Sequence, residues 1–141
     1  MNVLLTSALR AKLTDFGVSR SVSHQTTMTA EVGTLAWIAP EVLNGERYTE
    51  KADIYSFGVI LSEIDTLRQP YQNMRTDTAS MANNAHIAFL VGAGQLRPDF
   101  TSKCPPAVRA LAERCLAQSP DNRPSASELV DGLHGTSGLS K

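Results

Sequence analysis

Two tripeptides and the loop between them hold most of the residues able to do chemistry. Asp15-Phe16-Gly17 comes directly after a short strand-like stretch, and Ala39-Pro40-Glu41 closes the segment that follows it. That segment, from Asp15 to Gly33, is polar, lacks a sustained apolar period, and carries the hydroxyls of Ser21, Ser23, Thr26, Thr27 and Thr29. Long loops of this kind in compact domains are usually functional or disordered. One tripeptide alone is weak evidence; order and structural context give the pair its weight. The other reactive residue types are dispersed. Cys104 and Cys115 do not form a Cys-x-x-Cys pair, and His24, His86 and His134 lie far apart, so no metal-ligand spacing is present. Both cysteines read as structural thiols in a reducing compartment.

The elements that must position these residues follow from periodicity. Val3 to Thr6 and Lys12 to Thr14 read as two short strands joined by a turn over Ser7 to Arg10. After Pro40 the pattern turns helical. From Tyr48 to Arg68, Ile54, Phe57, Leu61 and Ile64 share one face, and Tyr55, Val59 and Ile60 fill much of the rest. A helix apolar nearly all round belongs in the middle of a core, and Thr49 is its expected N-cap. Gln69 to Asn84 is polar, contains Pro70 and reads as a loop, followed by a short helix from Ala85 to Val91 closed by Gly92 and Gly94. Pro105 and Pro106 open a helix whose face is Val108, Leu111, Ala112, Cys115 and Leu116. The last helix begins at Ser125, with Glu128 completing a capping box and Ala126, Leu129, Val130 and Leu133 as its apolar stripe. Gly135 to Lys141 reads as a flexible tail.

Length and composition set the frame. A chain of 141 residues fits one domain, and 42% apolar residues suffice for a core. A net charge of -1 with scattered Lys and Arg argues against nucleic acid as a partner. The apolar run at the start is only Val3-Leu4-Leu5, and Ile87 to Gly94 is too short to cross a bilayer, so no membrane segment is expected. The expectation is an intracellular, cytoplasmic protein, although such a domain can belong to a longer, membrane-anchored parent.

Asp15-Phe16-Gly17 and Ala39-Pro40-Glu41, in this order around a Ser/Thr-rich loop, resemble the activation segment of eukaryotic protein kinases. Asn2-Val3-Leu4-Leu5 resembles the end of the catalytic loop running into the next strand. Asp53-Ile54-Tyr55-Ser56-Phe57-Gly58 resembles the start of the family's buried central helix, and Asn122-Arg123-Pro124 the turn before its final helix. The resemblance covers about residues 2 to 133. It implies a mainly α fold (α+β overall), the C-terminal lobe of the kinase fold with a short β hairpin and the activation segment, the N-lobe being absent. Residues 1–134 would form this partial domain and 135–141 the tail.

The resemblance also implies roles. Asn2 and Asp15 would hold Mg2+ and through it ATP, since phosphoryl transfer needs cations to neutralise the phosphates and magnesium prefers oxygen ligands. Phe16 would pack under the site, and Gly17 would let the backbone turn. Ser21, Ser23, Thr26, Thr27 and Thr29 are candidates for activating phosphorylation, by an upstream kinase or by autophosphorylation; the plainer alternative is a polar loop with no regulated site. Glu41 and Arg123 would form a buried ion pair, and Asp53 would hold the backbone of the catalytic loop. Gly33-Thr34 resembles Ser/Thr kinases, with Thr34 supporting the catalytic Asp, and Trp37 resembles the tyrosine-kinase-like group of these enzymes.

The catalytic Asp of the family pattern would fall before Met1, and the Gly-rich loop and N-lobe Lys have no counterpart here; Gly92-Ala93-Gly94 has no following Lys and is no substitute. Two readings follow. The chain is a piece of an ATP-dependent Ser/Thr kinase acting on protein substrates and inactive in this form, or it is a catalytically dead kinase-like lobe that engages other proteins. Either way, the central helix is expected to keep an uncovered apolar face.

Overall fold

A computed structural model of the chain describes residues 3–14, 35–74 and 81–136. Strands β1 (Val3–Leu5) and β2 (Ala11–Leu13) pair antiparallel, with Val3 opposite Leu13 and Leu5 opposite Ala11. The turn between them is closed by Leu9 N–H donating to the Thr6 carbonyl and Thr6 N–H donating to that of Arg10. Among the described residues five helices follow: α1 (Pro40–Leu43), α2 (Lys51–Thr66), α3 (Met81–Gly92), α4 (Pro106–Cys115) and α5 (Ala126–Thr136). Three single 3-10 turns, Leu35–Trp37, Gln72–Met74 and Pro120–Asn122, link them. The fold is therefore mostly helical with one two-stranded antiparallel sheet, as a kinase C-terminal lobe requires.

Helix α2 is central. Tyr55 and Val59 enter a core with Ala36, Ala39, Tyr71, Ile87, Val91 and Leu116, while Ile54 packs with Leu111, Cys115 and Leu129 on another side. Its approach to α4 is close enough to demand glycine: a Cβ on Gly58 would lie 2.9 Å from both Cys115 Cβ and Leu116 Cγ. The face expected to be uncovered opens gradually. Ile54 is buried, Phe57 and Leu61 are half-buried, and Ile64 is 64% exposed.

Several boundaries differ from the pattern-based reading. Helix α2 begins at Lys51, not Tyr48, and its N-cap is Glu50 rather than Thr49. The Thr49 hydroxyl still accepts from Lys51 N–H at 3.3 Å, so its capping capacity serves the turn before the helix. The helix ends at Thr66 because Leu67 adopts a left-handed conformation (φ 53°), which cannot propagate it. Helix α3 begins at Met81, four residues before Ala85, because Met81 to Asn84 adds a helical turn rather than loop. At the other end α5 runs on to Thr136, through Gly132 and Gly135, since each Gly in a helix costs only about 1 kcal/mol. Residues 137–141 lie outside the described residues. The expected stripe of α5 is only partly used: Leu129 is buried, whereas Ala126 and Val130 are exposed. The capping box is formed, with Ser125 N–H donating to Glu128 Oε2 at 2.7 Å and Glu128 N–H to Ser125 Oγ at 3.2 Å.

Candidate functional site

The polar centre of the lobe is Arg123. It is 2% exposed, between the Pro120–Asn122 turn and α5. An Arg presents five N–H donors, and burying any one unpaired is costly. Here every donor is used. Nη1 donates to Glu41 Oε1 at 2.7 Å and to the Lys51 carbonyl at 2.9 Å. Nη2 donates to Glu41 Oε2 at 2.7 Å and to the Gln118 carbonyl at 3.1 Å, and Nε donates to the Ala117 carbonyl at 2.8 Å. The fork-to-fork pairing with Glu41, itself 3% exposed, fixes the orientation of both planes. The guanidinium carbon also lies 5.0 Å from the Tyr55 ring centre, a cation–π contact. Lys51 Nζ returns a bond of 2.6 Å to the Arg123 carbonyl. One side chain thus joins α1, the start and core face of α2, and the loop after α4.

Helix α1 owes its start to chain chemistry. Ala39 is extended (ψ 149°), as a residue before proline must be, and Pro40 occupies the first helical position, where its missing N–H is no loss. That places Glu41 in the first turn, facing Arg123. Immediately upstream, the Leu35–Trp37 turn is gripped by α2: Trp37 Nε1 donates to Glu63 Oε2 at 2.9 Å, and Ser56 Oγ donates to the Trp37 carbonyl at 2.7 Å.

Helix α3 is tied to the same region by its last carbonyl. Gly92 O accepts from Gln118 Nε2 at 2.9 Å and from Asn44 Nδ2 at 3.3 Å. Gly92 and Gly94 are therefore helix-end residues facing Asn44 and Gln118, not a phosphate cradle. Between these elements lies an open cleft of about 620 Å³, lined by Pro40, Asn44, Arg97, Gln118 and Asn122 among others.

Of the site residues expected from sequence, Glu41 and Arg123 are brought together. Asp53 sits on the first turn of α2 with its surface largely exposed; partial desolvation and, second, the Glu50 carboxylate raise its pKa above the ordinary carboxylate value. Asn2, Asp15, Phe16, Gly17, Ser21, Ser23, Thr26, Thr27, Thr29 and Thr34 lie outside the described residues. Among the described residues, no group of three or more His, Cys, Asp or Glu could hold a metal ion, and no helix is long and apolar enough to cross a membrane. Cys104 and Cys115 are buried free thiols, and burial pushes Cys115 up to about 11.

Sequence reasoning missed the partners around these residues. Lys51, Ala117 and Gln118 meet Arg123 through main-chain carbonyls, which leave no trace in residue type. Ser56 and Glu63 did leave one: two polar residues seven apart, hence on one face of α2.

A helical lobe centred on a buried carboxylate–guanidinium pair, entered through a Trp-bearing turn and preceded in sequence by Asp-Phe-Gly and a hydroxyl-rich stretch, is the C-terminal lobe of a protein kinase domain. The chain belongs to the protein kinase domain family, whose pattern it matches over residues 1–133. It is 37% identical over 133 residues to a probable LIM domain-containing serine/threonine-protein kinase of Dictyostelium discoideum, covering 94% of this chain and 19% of that protein. It is 36% identical over 134 residues to another probable serine/threonine-protein kinase of that organism, covering 95% and 14%. A serine/threonine/tyrosine-protein kinase of Arabidopsis thaliana is 36% identical over 129 residues, covering 92% and 31%. The chain thus spans less than a third of the length of each of these relatives.

Proposed function

We propose that this chain is the C-terminal-lobe part of an ATP-dependent Ser/Thr protein kinase of the tyrosine-kinase-like group, and that by itself it does not transfer phosphate. The observation that carries the reading is the Glu41–Arg123 pair. It fixes Glu41, the last residue of the stretch that begins in sequence at Asp15, to the lobe. Gly33-Thr34 and Trp37 support the Ser/Thr preference and the group, and the Ser/Thr kinase names of the relatives agree with it.

In a complete domain Asn2 and Asp15 would hold Mg2+, which supplies charge neutralisation to the phosphates of ATP. Phe16 and Gly17 would set the turn beside them, Thr34 would support the catalytic Asp, and Asp53 would steady the catalytic loop. One or more of Ser21, Ser23, Thr26, Thr27 and Thr29 would accept an activating phosphate, from an upstream kinase or in autophosphorylation. The sequence holds no His-Arg-Asp, Gly-rich loop or N-lobe Lys to complete the machinery.

Radiolabelled ATP offered to this chain with a general protein substrate is expected to give no incorporation. Turnover that Asp15→Ala abolished would overturn the claim of inactivity. The coding sequence before Asn2 tests the rest: an in-frame His-Arg-Asp and Gly-rich loop support the kinase reading, and a genuine stop codon there counts against it. One observation favours a second reading, a lobe that works by binding other proteins. Leu4, Leu5, Leu9 and Leu13 of the hairpin are 55 to 81% exposed, an apolar surface suited to a covering partner.

A further inference from the structure

Glu41 fixes the entry into α1, but a second, separate grip holds the chain four residues earlier. Trp37 is caught at both its main chain and its side chain by one face of α2. The Ser56 hydroxyl donates to the Trp37 carbonyl at 2.7 Å, in preference to its longer contact of 3.2 Å with the Ala52 carbonyl in its own helix. Two turns along α2, the Glu63 carboxylate accepts the indole N–H at 2.9 Å. The indole ring packs against the core cluster of Tyr55, Val59 and Ile87. A mid-helix Ser usually satisfies itself on the preceding turn; here Ser56 keeps that contact and also reaches the Trp37 carbonyl outside the helix, at the shorter distance. The Glu63 carboxylate is likewise engaged with an indole rather than left to water.

The geometry points to Glu63, with Ser56, as a positioning residue for the protein-substrate side of the reaction. Trp37 follows Thr34 by three residues, so the α2 grip is the nearest described anchor to the stretch that selects the accepting hydroxyl. This inference rests on the kinase reading above. Among the described residues, the Glu63 carboxylate is engaged by the Trp37 indole, on the stretch that follows Thr34. Loosening its grip should therefore weaken use of the protein substrate and spare the nucleotide.

The chain contains a single Trp, which makes the grip directly visible. In the chain itself, Glu63→Ala is expected to change the emission of Trp37 and to speed hydrogen exchange at residues 35–38, with exchange in α4 unchanged. Glu63→Gln, which keeps an acceptor for the indole, should stay near wild type on both readouts. Trp37→Phe keeps an aromatic ring and loses the N–H, so it should reproduce the faster exchange even if Glu63→Ala fails to fold. Wild-type emission and exchange in Glu63→Ala, or wild-type exchange in Trp37→Phe, would overturn the grip. In an active kinase polypeptide carrying residues 2–133, Glu63→Ala should raise KM for the protein substrate about tenfold, the scale of one bond to a charged group, with KM for ATP unchanged and Glu63→Gln restoring it. An active polypeptide whose protein KM does not move in Glu63→Ala sinks the positioning role. A polypeptide inactive with the wild-type residues sinks the kinase reading instead, and the exchange data still decide the grip.

Discussion

Replacing Arg123 tests the centre of the lobe, because a lysine keeps the charge and loses the fork. In the structure Arg123 makes two bonds of 2.7 Å to Glu41 and three more to the carbonyls of Lys51, Gln118 and Ala117. Lysine has one nitrogen and cannot reach three separate carbonyls while still pairing with a carboxylate. With Arg123→Lys the charge pairing persists in poorer form, and the loss is chiefly the carbonyl bonds, each worth about 1 kcal/mol, so roughly 2–4 kcal/mol in total. Arg123→Ala also strands the Glu41 carboxylate at 3% exposure, which by itself costs about 3–5 kcal/mol. Glu41→Ala strands the guanidinium instead, yet leaves its three carbonyl bonds in place, so it should cost less than Arg123→Ala. Whole domains are stable by only about 5–15 kcal/mol, and Arg123→Ala therefore approaches the limit of folding.

The assay is urea unfolding followed by circular dichroism at about 15 °C, near the usual maximum of stability. The expected order of destabilisation is Arg123→Ala, then Glu41→Ala, with Arg123→Lys smallest but above 1 kcal/mol, at constant m-value. The double variant should be less unstable than the sum of the singles by about 2 kcal/mol or more, because the second substitution removes a charge that the first left stranded. An Arg123→Lys variant within about 0.5 kcal/mol of wild type, or strictly additive singles, would refute the argument that this pair and its carbonyl contacts hold α1 to the lobe.

Gly58→Ala would elsewhere stabilise a helix, but here its methyl meets Cys115 and Leu116 at 2.9 Å, so a loss of about 1–3 kcal/mol is expected in the same unfolding assay. The Glu128 carboxylate is held below its ordinary pKa by the Ser125 N–H and then the Ser125 hydroxyl. Its contribution is therefore complete above the ordinary Glu value and disappears as pH falls through the lowered folded value. Glu128→Gln should flatten that part of the stability profile below the ordinary Glu value, and an unchanged acid limb would contradict the capping assignment. Asp53 has its pKa raised, by burial first and by Glu50 second, so its charge is disfavoured in the folded chain. Asp53→Asn should stabilise this chain at neutral pH, with the gain vanishing below the unfolded carboxylate value; destabilisation would show instead a structural bond to the carboxylate. Finally, Leu4, Leu5, Leu9, Leu13 and Ile64 are all more than half exposed, so the chain expressed alone should self-associate or melt low. A monomer with a cooperative melt near ~60 °C, as in ordinary mesophilic domains, would defeat this.

What the sequence made legible depended on whether the determinant is local. The Ser125–Glu128 box and the Leu111, Ala112, Cys115, Leu116 stripe repeat at helical spacing, and both are formed as read. The start of α3 was not legible, because Asn83 and Asn84 look like loop residues until the apolar residues behind them commit the segment to a helix. Nor does a run such as Val3-Leu4-Leu5 say whether anything covers it: the strand pattern is the same for a packed hairpin and for this exposed one. The Glu41–Arg123 pair spans 82 residues and was readable only because each member sits in a family motif. The grip on Trp37 had no motif, only two polar residues on one face of α2. The stretch from Leu35 to Glu41 is thus fixed at two points by determinants of different kinds. One, the ion pair, holds α1 to the lobe, so its loss is read in stability. The other acts on the Leu35–Trp37 turn, so on the inference above its loss is read in local exchange and in substrate use. A variant set that separates those two readouts would show whether the lobe and the loop exit are independent units.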